Sequence, residues 1–373
     1  MTSPLKQTPY HAAHVALGAK MGPFAGYDMP IQYPMGILKE HEWVRTRAGL
    51  FDVSHMGQCR LTGSGALATL HKITPSAFGK MAPGQCKYSV LTHLHGGVID
   101  DLIVTKLTDD DFILVLNAGC KDKDMTWIHQ HLAPDTRFTY AGDHVGLLAL
   151  QGPYAARALA DTLLPETVVD GIPYMSGAWV SMMGHKVFIT RTGYTGEDGF
   201  EIMLPPDADL TQKVWAVLAA HDDVRPIGLG ARDSLRLEMG YPLYGHELDD
   251  TTSPVEAGLT WILSRKNTGF HGEARIRKEL ADGAPRKRMG VLLTEPGIAR
   301  DGAELYSPAG EKIGVLTSGG FSPTLKQAIA LAYVATPHAV EGAEVRVDVR
   351  GRRLTAKLQA PSFVRARTLK QPA

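Results

Sequence analysis

From Gly96 to Lys106 the chain reads GGVIDDLIVTK, an apolar strand pattern broken by two adjacent carboxylates, Asp100 and Asp101. Successive side chains of a strand point to opposite faces, so strict alternation groups Asp100 with Val98, Leu102 and Val104, and Asp101 with Ile99 and Ile103. Neither face is polar. A carboxylate drawn out of water without a partner is costly, and it shifts its pKa, finds a donor or faces a ligand. The pattern leaves two readings open. Either at least one Asp does chemistry, or a Gly96-Gly97 turn carries the strand in from the surface and both acids accept turn amides. Beyond the polar stretch Thr108 to Asp111, FILVLN (Phe112 to Asn117) completes an antiparallel hairpin, which Asn117-Ala118-Gly119 ends.

The same patterning predicts the other elements. Residues 1–36 have little periodicity and many turn formers, the mark of a loop-rich lead-in. Gly36 to Ala48 places Ile37, His41 and Val44 near one stripe, a half-buried helix that stops at Gly49. LFDVSHMGQCRLTG reads as a strand pair with His55 as a half-buried, hydrogen-bonded histidine, and ALATLHKI as a short helix. KDKDMTWIHQHL spaces Met125, Ile128 and Leu132 helically before the Pro134 break, and HVGLLALQGP is a strand leading into a helix. KVFITR then enters the glycine loop TGYTGEDG and leaves as FEIML, a second hairpin. In its exit strand Phe200, Ile202 and Leu204 share one face, Glu201 and Met203 the other; Glu201 either meets a ligand or is an edge-strand acid facing solvent. GLGARDSLRLEMG reads as a helix with Arg232, Arg236 and Met239 on adjacent turns. Asp233 and Arg236 form an exposed ion pair of little worth on this reading, which leaves Arg232 free. From Arg286 onward, MGVLL, GAELYS, KIGVLTSG, AIALAYV and GAEVRVDVRGRRLTAKL alternate with Gly, Pro and Asp turns, as in a small antiparallel β-barrel or jelly-roll-like module.

A chain of 373 residues is long for a single core, and two or three domains are expected. The boundary falls in the charged segment from Leu280 to Arg288, giving a region 1–280 and a module 286–373. No apolar run approaches the ~18 residues of a membrane span, so a soluble protein is expected. The net charge of zero argues against general attachment to nucleic acid or an anionic membrane. The charge is nevertheless uneven. Residues 286–373 carry 14 Lys or Arg against 7 Asp or Glu, net +7, and the remainder 25 against 32, net −7. Cys59, Cys86 and Cys120 are odd in number and widely spaced, which reads as reduced thiols in a cytosol-like compartment. With no Arg before Arg45 and no apolar leader, neither a transit peptide nor a secretory signal is expected.

Gly63-Ser64-Gly65-Ala66-Leu67-Ala68 fits the dinucleotide fingerprint, but that motif needs an acid about twenty residues further on for the ribose. No Asp or Glu occurs from Gly63 to Ile99. The pairs His11/His14, His93/His95 and His129/His131 have no Cys or acid at ligand spacing, and neither a nucleophile elbow nor a Walker loop is present. Two carboxylate-bearing hairpins, a free Arg and many aromatics remain, a set suited to an organic ligand.

The motifs TPYHAAHVALGAKMGPFAGYDMPIQY, GLFDVSHMG, GGVIDDLIVTK, NAGCKDKD, LALQGP, TRTGYTGEDGFEI, GLGARDSLRLEMGYPLYG, TSPVEAGLTW and KIGVLTSGGFSPTLKQAIALAYV resemble the aminomethyltransferase, or T-protein, family of the glycine cleavage system over about residues 8–365. The resemblance implies an α+β, three-lobed fold, with two interleaved α+β folate-binding lobes over 1–280 and the C-terminal β module. It implies a tetrahydrofolate-dependent enzyme without metal, flavin or nicotinamide. The partner would be the lipoylated H-protein, the compartment a bacterial cytoplasm, and neither nucleic acid nor membrane would be bound. The products would be 5,10-methylenetetrahydrofolate, ammonia and the dihydrolipoyl H-protein. It assigns Asp101 as catalytic, moving protons and stabilising an iminium-like cation. Glu201 would match the paired donors of a pterin, Arg232 a folate oxygen or tail carboxylate, and Tyr194, Tyr88, Met56, Trp261 and Asn117 the rest of the folate site. PSFVRAR departs from the family's variants there, so no folate contact is assigned to Arg365 or Arg367. Two rivals accompany this reading. One is a related folate-dependent demethylase of a small methylated compound; the other is a non-catalytic folate-binding protein of iron–sulfur maintenance, whose K-G-C-Y-x-G-Q-E motif stands where this chain reads RTGYTGEDG.

Overall fold

The computed structural model describes residues 4–368. Among these residues the strands form a two-stranded ribbon, a six-stranded sheet, a five-stranded sheet and a closed six-stranded barrel. The six-stranded sheet runs in the order Gly177–Met182, His185–Thr190, Gly199–Met203, Leu147–Gln151, Ala48–Asp52, Val224–Pro226. The five-stranded one runs Cys86–Thr92, Val98–Thr108, Asp111–Leu116, Gly57–Thr62, Arg137–Tyr140. All of the second lies in sequence between Ala48–Asp52 and Leu147–Gln151, which are paired neighbours in the first. The two α+β lobes are interleaved for that reason. LFDVSHMGQCRLTG is accordingly two strands but not a pair: Ala48–Asp52 joins one sheet and Gly57–Thr62 the other. Two-residue turns between strands make hairpins, whereas the apolar Phe51 and Val53 here are drawn into the core between the sheets.

That core decides where a site can form. Phe51, Ala149, Phe188 and Met203 of the six-stranded sheet pack with Ile103, Ile113 and Val115 of the five-stranded sheet, so the two sheets meet face to face. The far face of the first is covered by the helices Ala155–Thr162 and Ala208–Ala219 through Leu159, Val214 and Leu218. The second is covered by Ala66–Ile73 and Lys121–Gln130 through Leu70, Ile73 and Ile128. Burial of these stripes, at about 25 cal/mol per Å² of apolar surface, is what holds short helices of modest propensity in place.

The lead-in is more ordered than its composition suggests. His11–Ala16 is a helix, and Lys20–Phe24 pairs with Tyr27–Gln32. Neither is fixed by its own periodicity. The Tyr10 ring packs tilted against Trp215 at 5.2 Å, and Asp52 accepts hydrogen bonds from Thr8 (2.6 Å) and His14 (2.9 Å), so distant residues anchor the segment.

In the central hairpin strict alternation fails at one place. Leu91 pairs with Asp100 but Thr92 pairs with Val98, leaving Ile99 as a bulge. Val98 therefore packs with Val90 and Leu259 on the Asp101 side, and Ile99 with Leu91, Leu102 and Val104 on the Asp100 side, the reverse of the expected grouping. Asp100 and Asp101 still point to opposite faces.

The barrel is closed in the order Arg286–Leu293, Gln327–Ala335, Lys312–Ser322, Glu304–Tyr306, Glu344–Val349, Arg352–Gln359, with Met289, Val291 and Leu293 turned into its core. It is tied to the lobes by Leu237 against Ile329 and Leu331. Arg236, expected to be exposed, is buried in the same seam. It pairs with Glu247 (2.9 Å) as well as Asp233 (2.8 Å) and donates to Ser318 (3.0 Å) of the barrel. The Asp233 end of the pair is the part that remains exposed.

Candidate functional site

Strand Val98–Thr108 is buried on both faces, and its two carboxylates are buried with it: Asp100 is 0% exposed and Asp101 9%. One side chain reaches both. The Asn117 amide donates to Asp100 Oδ1 (3.0 Å), to Asp101 Oδ1 (2.8 Å) and to the Asp101 carbonyl (3.1 Å), while the Asn117 backbone N–H donates to Asp100 Oδ2 (3.1 Å). Asn117 can do so because it follows directly on Leu116, the partner of Leu102 in the ladder. Asp100 thus accepts a turn amide, though from the far end of the hairpin rather than from Gly96 and Gly97. Asp101 has less support. Burial, with the Asp100 charge adding to it, pushes its carboxyl up to about 7. A carboxyl that titrates near neutrality is suited to both giving and taking a proton.

The second hairpin places Glu201 on an interior strand, opposite Thr190 on one side and Ala149 on the other, not at a sheet edge. Thr192 donates to its carboxylate from the turn. Tyr194, in the glycine loop, lies 5.6 Å from Tyr241 and donates to the Pro242 carbonyl. Over its ring sits Arg232, 4.9 Å from the centroid. The Arg232 guanidinium is drawn toward the charge of Glu201 but has one buried nitrogen, Nη1, with no partner among the described residues. An unpartnered guanidinium nitrogen is a donor waiting for an acceptor.

These parts form one wall. Met203, on the Glu201 face, and Ile103, on the Asp101 face, belong to the same cluster between the sheets, with Met56 packed against it. Tyr88 stands opposite Ile103 in the ladder and feels the charge of Asp101. Its ring stacks on Trp261 at 5.7 Å and 24°, and Trp261 is 67% exposed, so the wall continues to solvent. Asp101, Asn117, Tyr88, Trp261, Tyr194, Arg232, Glu201 and Met56 are thereby brought together. Arg367 is held elsewhere, on Glu197 and the Arg45 carbonyl (2.7 Å).

Three further residues lie at the site, none of which the sequence assigns to it. His55 is fully buried, not half-buried, and its Nδ1 has no partner; burial pushes it down to about 4, so it is neutral. Cys120 and Asp124 lie at the start of helix Lys121–Gln130 against Asp100. Asp124 at helical spacing from Ile128 was the available signal, since it places an acid on the apolar stripe. His93, His131 and His271 gather round Trp127, and among the described residues no His, Cys, Asp or Glu group has the geometry to hold a metal ion. No helix among them is long and apolar enough to cross a membrane.

Comparison with known proteins gives the following. The family model described as the GCVT N-terminal domain matches residues 10–267, and the glycine cleavage T-protein C-terminal barrel domain matches residues 286–365. The aminomethyltransferase of Bacteroides fragilis is 42% identical over 366 residues, covering 96% of this chain and 99% of that protein. The aminomethyltransferase of Geobacillus kaustophilus is 42% identical over 365 residues, covering 97% and 99%. Among solved structures, glycine cleavage system aminomethyltransferase T from Bartonella henselae superposes with a TM-score of 0.92 at 38% identity, covering 98% of this chain and all of that one.

Proposed function

The chain belongs to the glycine cleavage T-protein family of aminomethyltransferases, and we propose that it moves the methylene carbon of an aminomethyl group from the lipoyl arm of H-protein to tetrahydrofolate. In that transfer the carbon exchanges its bonds to sulfur and nitrogen for bonds to two folate nitrogens. The two N–H protons of the folate finish on the lipoyl sulfur and the departing ammonia, so a proton carrier beside the carbon is required.

The observation that carries the reading is Asp101: a buried carboxyl, raised to about 7, on a wall that also holds an acid and an unpartnered guanidinium. Glu201 would accept from the ring N–H and amino group of the pterin, a paired contact of the kind a carboxylate makes with a guanidinium. Arg232 Nη1 would donate to a folate oxygen or tail carboxylate. Tyr194, Tyr88, Trp261 and Met56 would supply flat and apolar surface against the rings. Asn117 holds Asp101 at Oδ1 with Tyr88 beside the same carboxyl, and Oδ2 would face the reacting nitrogens. Asp101 protonates the departing nitrogen, and once ionised it stabilises positive charge at the carbon and accepts a folate proton.

Asp101→Asn keeps the shape and the Asn117 contact but removes the exchangeable proton. Its turnover should fall by roughly 10²–10⁴, with folate affinity changed far less, whereas Asp100→Asn stays within about tenfold once folded protein is counted. Steady-state assays in which Asp100→Asn is the inactive protein would overturn the assignment.

A further inference from the structure

One buried acid has no part in the chemistry above. Asp124, in the first turn of helix Lys121–Gln130, is 0% exposed, and neither of its oxygens receives an N–H or hydroxyl from the described residues. What it does reach is another carboxyl. Asp124 and Asp100 lie within hydrogen-bonding distance of each other. Two carboxyls in such contact cannot both be ionised at modest cost, so a proton must lie between them.

The surroundings decide which one owns it. Burial pushes the Asp100 carboxyl up as well, but Asp100 accepts two hydrogen bonds from Asn117 and is approached by the Cys120 thiol, all of which favour its ionised form. Asp124 has no such donor. The other charged or titratable groups facing the pair do not change this. Lys123 is committed to Tyr244 and Asp250 (3.3 Å). Lys121 is committed to Asp143 (2.8 Å) and the hydroxyls of Tyr27 and Tyr140. Burial and the neighbouring acids keep Cys59, Cys120, Tyr88 and Tyr244 protonated. Among the described residues no cation is therefore seated on the three carboxyls.

We propose that Asp124 is a positioning residue held as a neutral acid, whose O–H donates to Asp100, keeps Asp100 ionised, and through that charge keeps a proton available on Asp101. The inference rests on the reading of Asp101 as the catalytic carboxyl. The direction of the titration agrees with it: burial, then the charge of Asp100, pushes Asp124 up to about 11. If Asp100 held the proton instead, Asp101 would lose its charged neighbour and keep only the part of its shift that burial gives.

The test uses full-length protein with ¹³C-labelled aspartate carboxyls, followed by NMR from pH 5 to 9 without ligand. The expected result is one carboxyl that stays protonated to pH 8 and whose signal is absent in Asp124→Asn. In the same spectra Asp101 should titrate near its wild-type value in Asp124→Asn, whose amide still donates to Asp100. It should titrate lower by about one pH unit or more in Asp124→Leu, which cannot donate. An ionised Asp124 at pH 8 in the wild type would overturn the proposal without need of any variant. So would an Asn variant that lowers the Asp101 titration as Leu does, because Asp124 would then have been a charge. The two readings fail separately. A catalytically silent Asp101→Asn leaves the Asp124 signal in place, and a missing Asp124 signal leaves an inactive Asp101→Asn unexplained by it but intact.

Discussion

Glu201 and Asp101 are both carboxyls on buried strands, yet their neighbours assign them opposite tasks. Glu201 receives a donor from Thr192 and the attraction of Arg232, so it is set up as a fixed acceptor. Replacing it with Gln puts an NH₂ against one of the proposed pterin donors and removes a charge-assisted contact worth roughly 1.5–3 kcal/mol. Calorimetric titration should give folate affinity lower by about 10- to 150-fold; wild-type affinity would mean that Glu201 does not touch the pterin. Asp101 is instead a proton reservoir, and its stability consequence has a definite sign. With the folded pKa raised to about 7 against about 3.9 in the unfolded chain, the native state binds the extra proton. The stability this gives is full below about pH 4 and is lost as pH rises toward 7. Asp101→Asn abolishes that loss. Melts should find the variant more stable than wild type at pH 8, by on the order of 2–4 kcal/mol, with a smaller gain at pH 5. An equal difference at both pH values would show that Asp101 ionises normally.

At the level of elements, long apolar strands and the helices Ile37–Thr46, Ala66–Ile73 and Leu229–Glu238 follow the hydrophobic period closely. They were legible because their burial is one-sided or complete along their own length. The ribbon from Lys20 to Gln32 was not, since its order comes from partners outside it, Asp143 and Lys121 on the Tyr27 hydroxyl and His11 on Asp28. Nor was the Ile99 bulge, because it answers to a loop far off in sequence. The Val98 N–H donates to the carbonyls of Asp249 (3.1 Å) and Thr252 (3.0 Å), and at Gly97 a Cβ would run into the Asp250 carbonyl. Gly97 is thus a glycine because another backbone lies against it. Gly97→Ala should destabilise by about 2–4 kcal/mol. Gly342→Ala, where φ is +83° but nothing lies within 4 Å, should cost only about 1 kcal/mol. Denaturant unfolding that gives equal losses would remove close approach as the cause. The site residues divide in the same way. Asp101 and Glu201 are visible as acids in apolar strands, whereas Asp124 depends on a contact between a helix and a strand.

On the scale of the molecule, the interleaved lobes bring two hairpins from different sheets face to face, and the barrel closes over the seam through Arg236, Glu247 and Ser318. The barrel region carries the chain's excess of basic residues, net +7 over residues 286–373. An acidic carrier would be steered by such a surface. With a Debye length of roughly 8 Å at ~0.15 M salt, raising ionic strength should raise KM for H-protein more than KM for folate; equal effects would remove the barrel from docking. The proposed reaction requires that aminomethyl carrier and folate act at one site. Its most direct test is a single turnover in which wild-type protein and aminomethylated lipoyl H-protein are mixed with and without tetrahydrofolate while ammonia and methylenetetrahydrofolate are measured. A folate-dependent burst with the two products in equal amounts is expected. Ammonia released at the same rate without folate, or no transfer from H-protein but turnover of a small methylated amine, would contradict it.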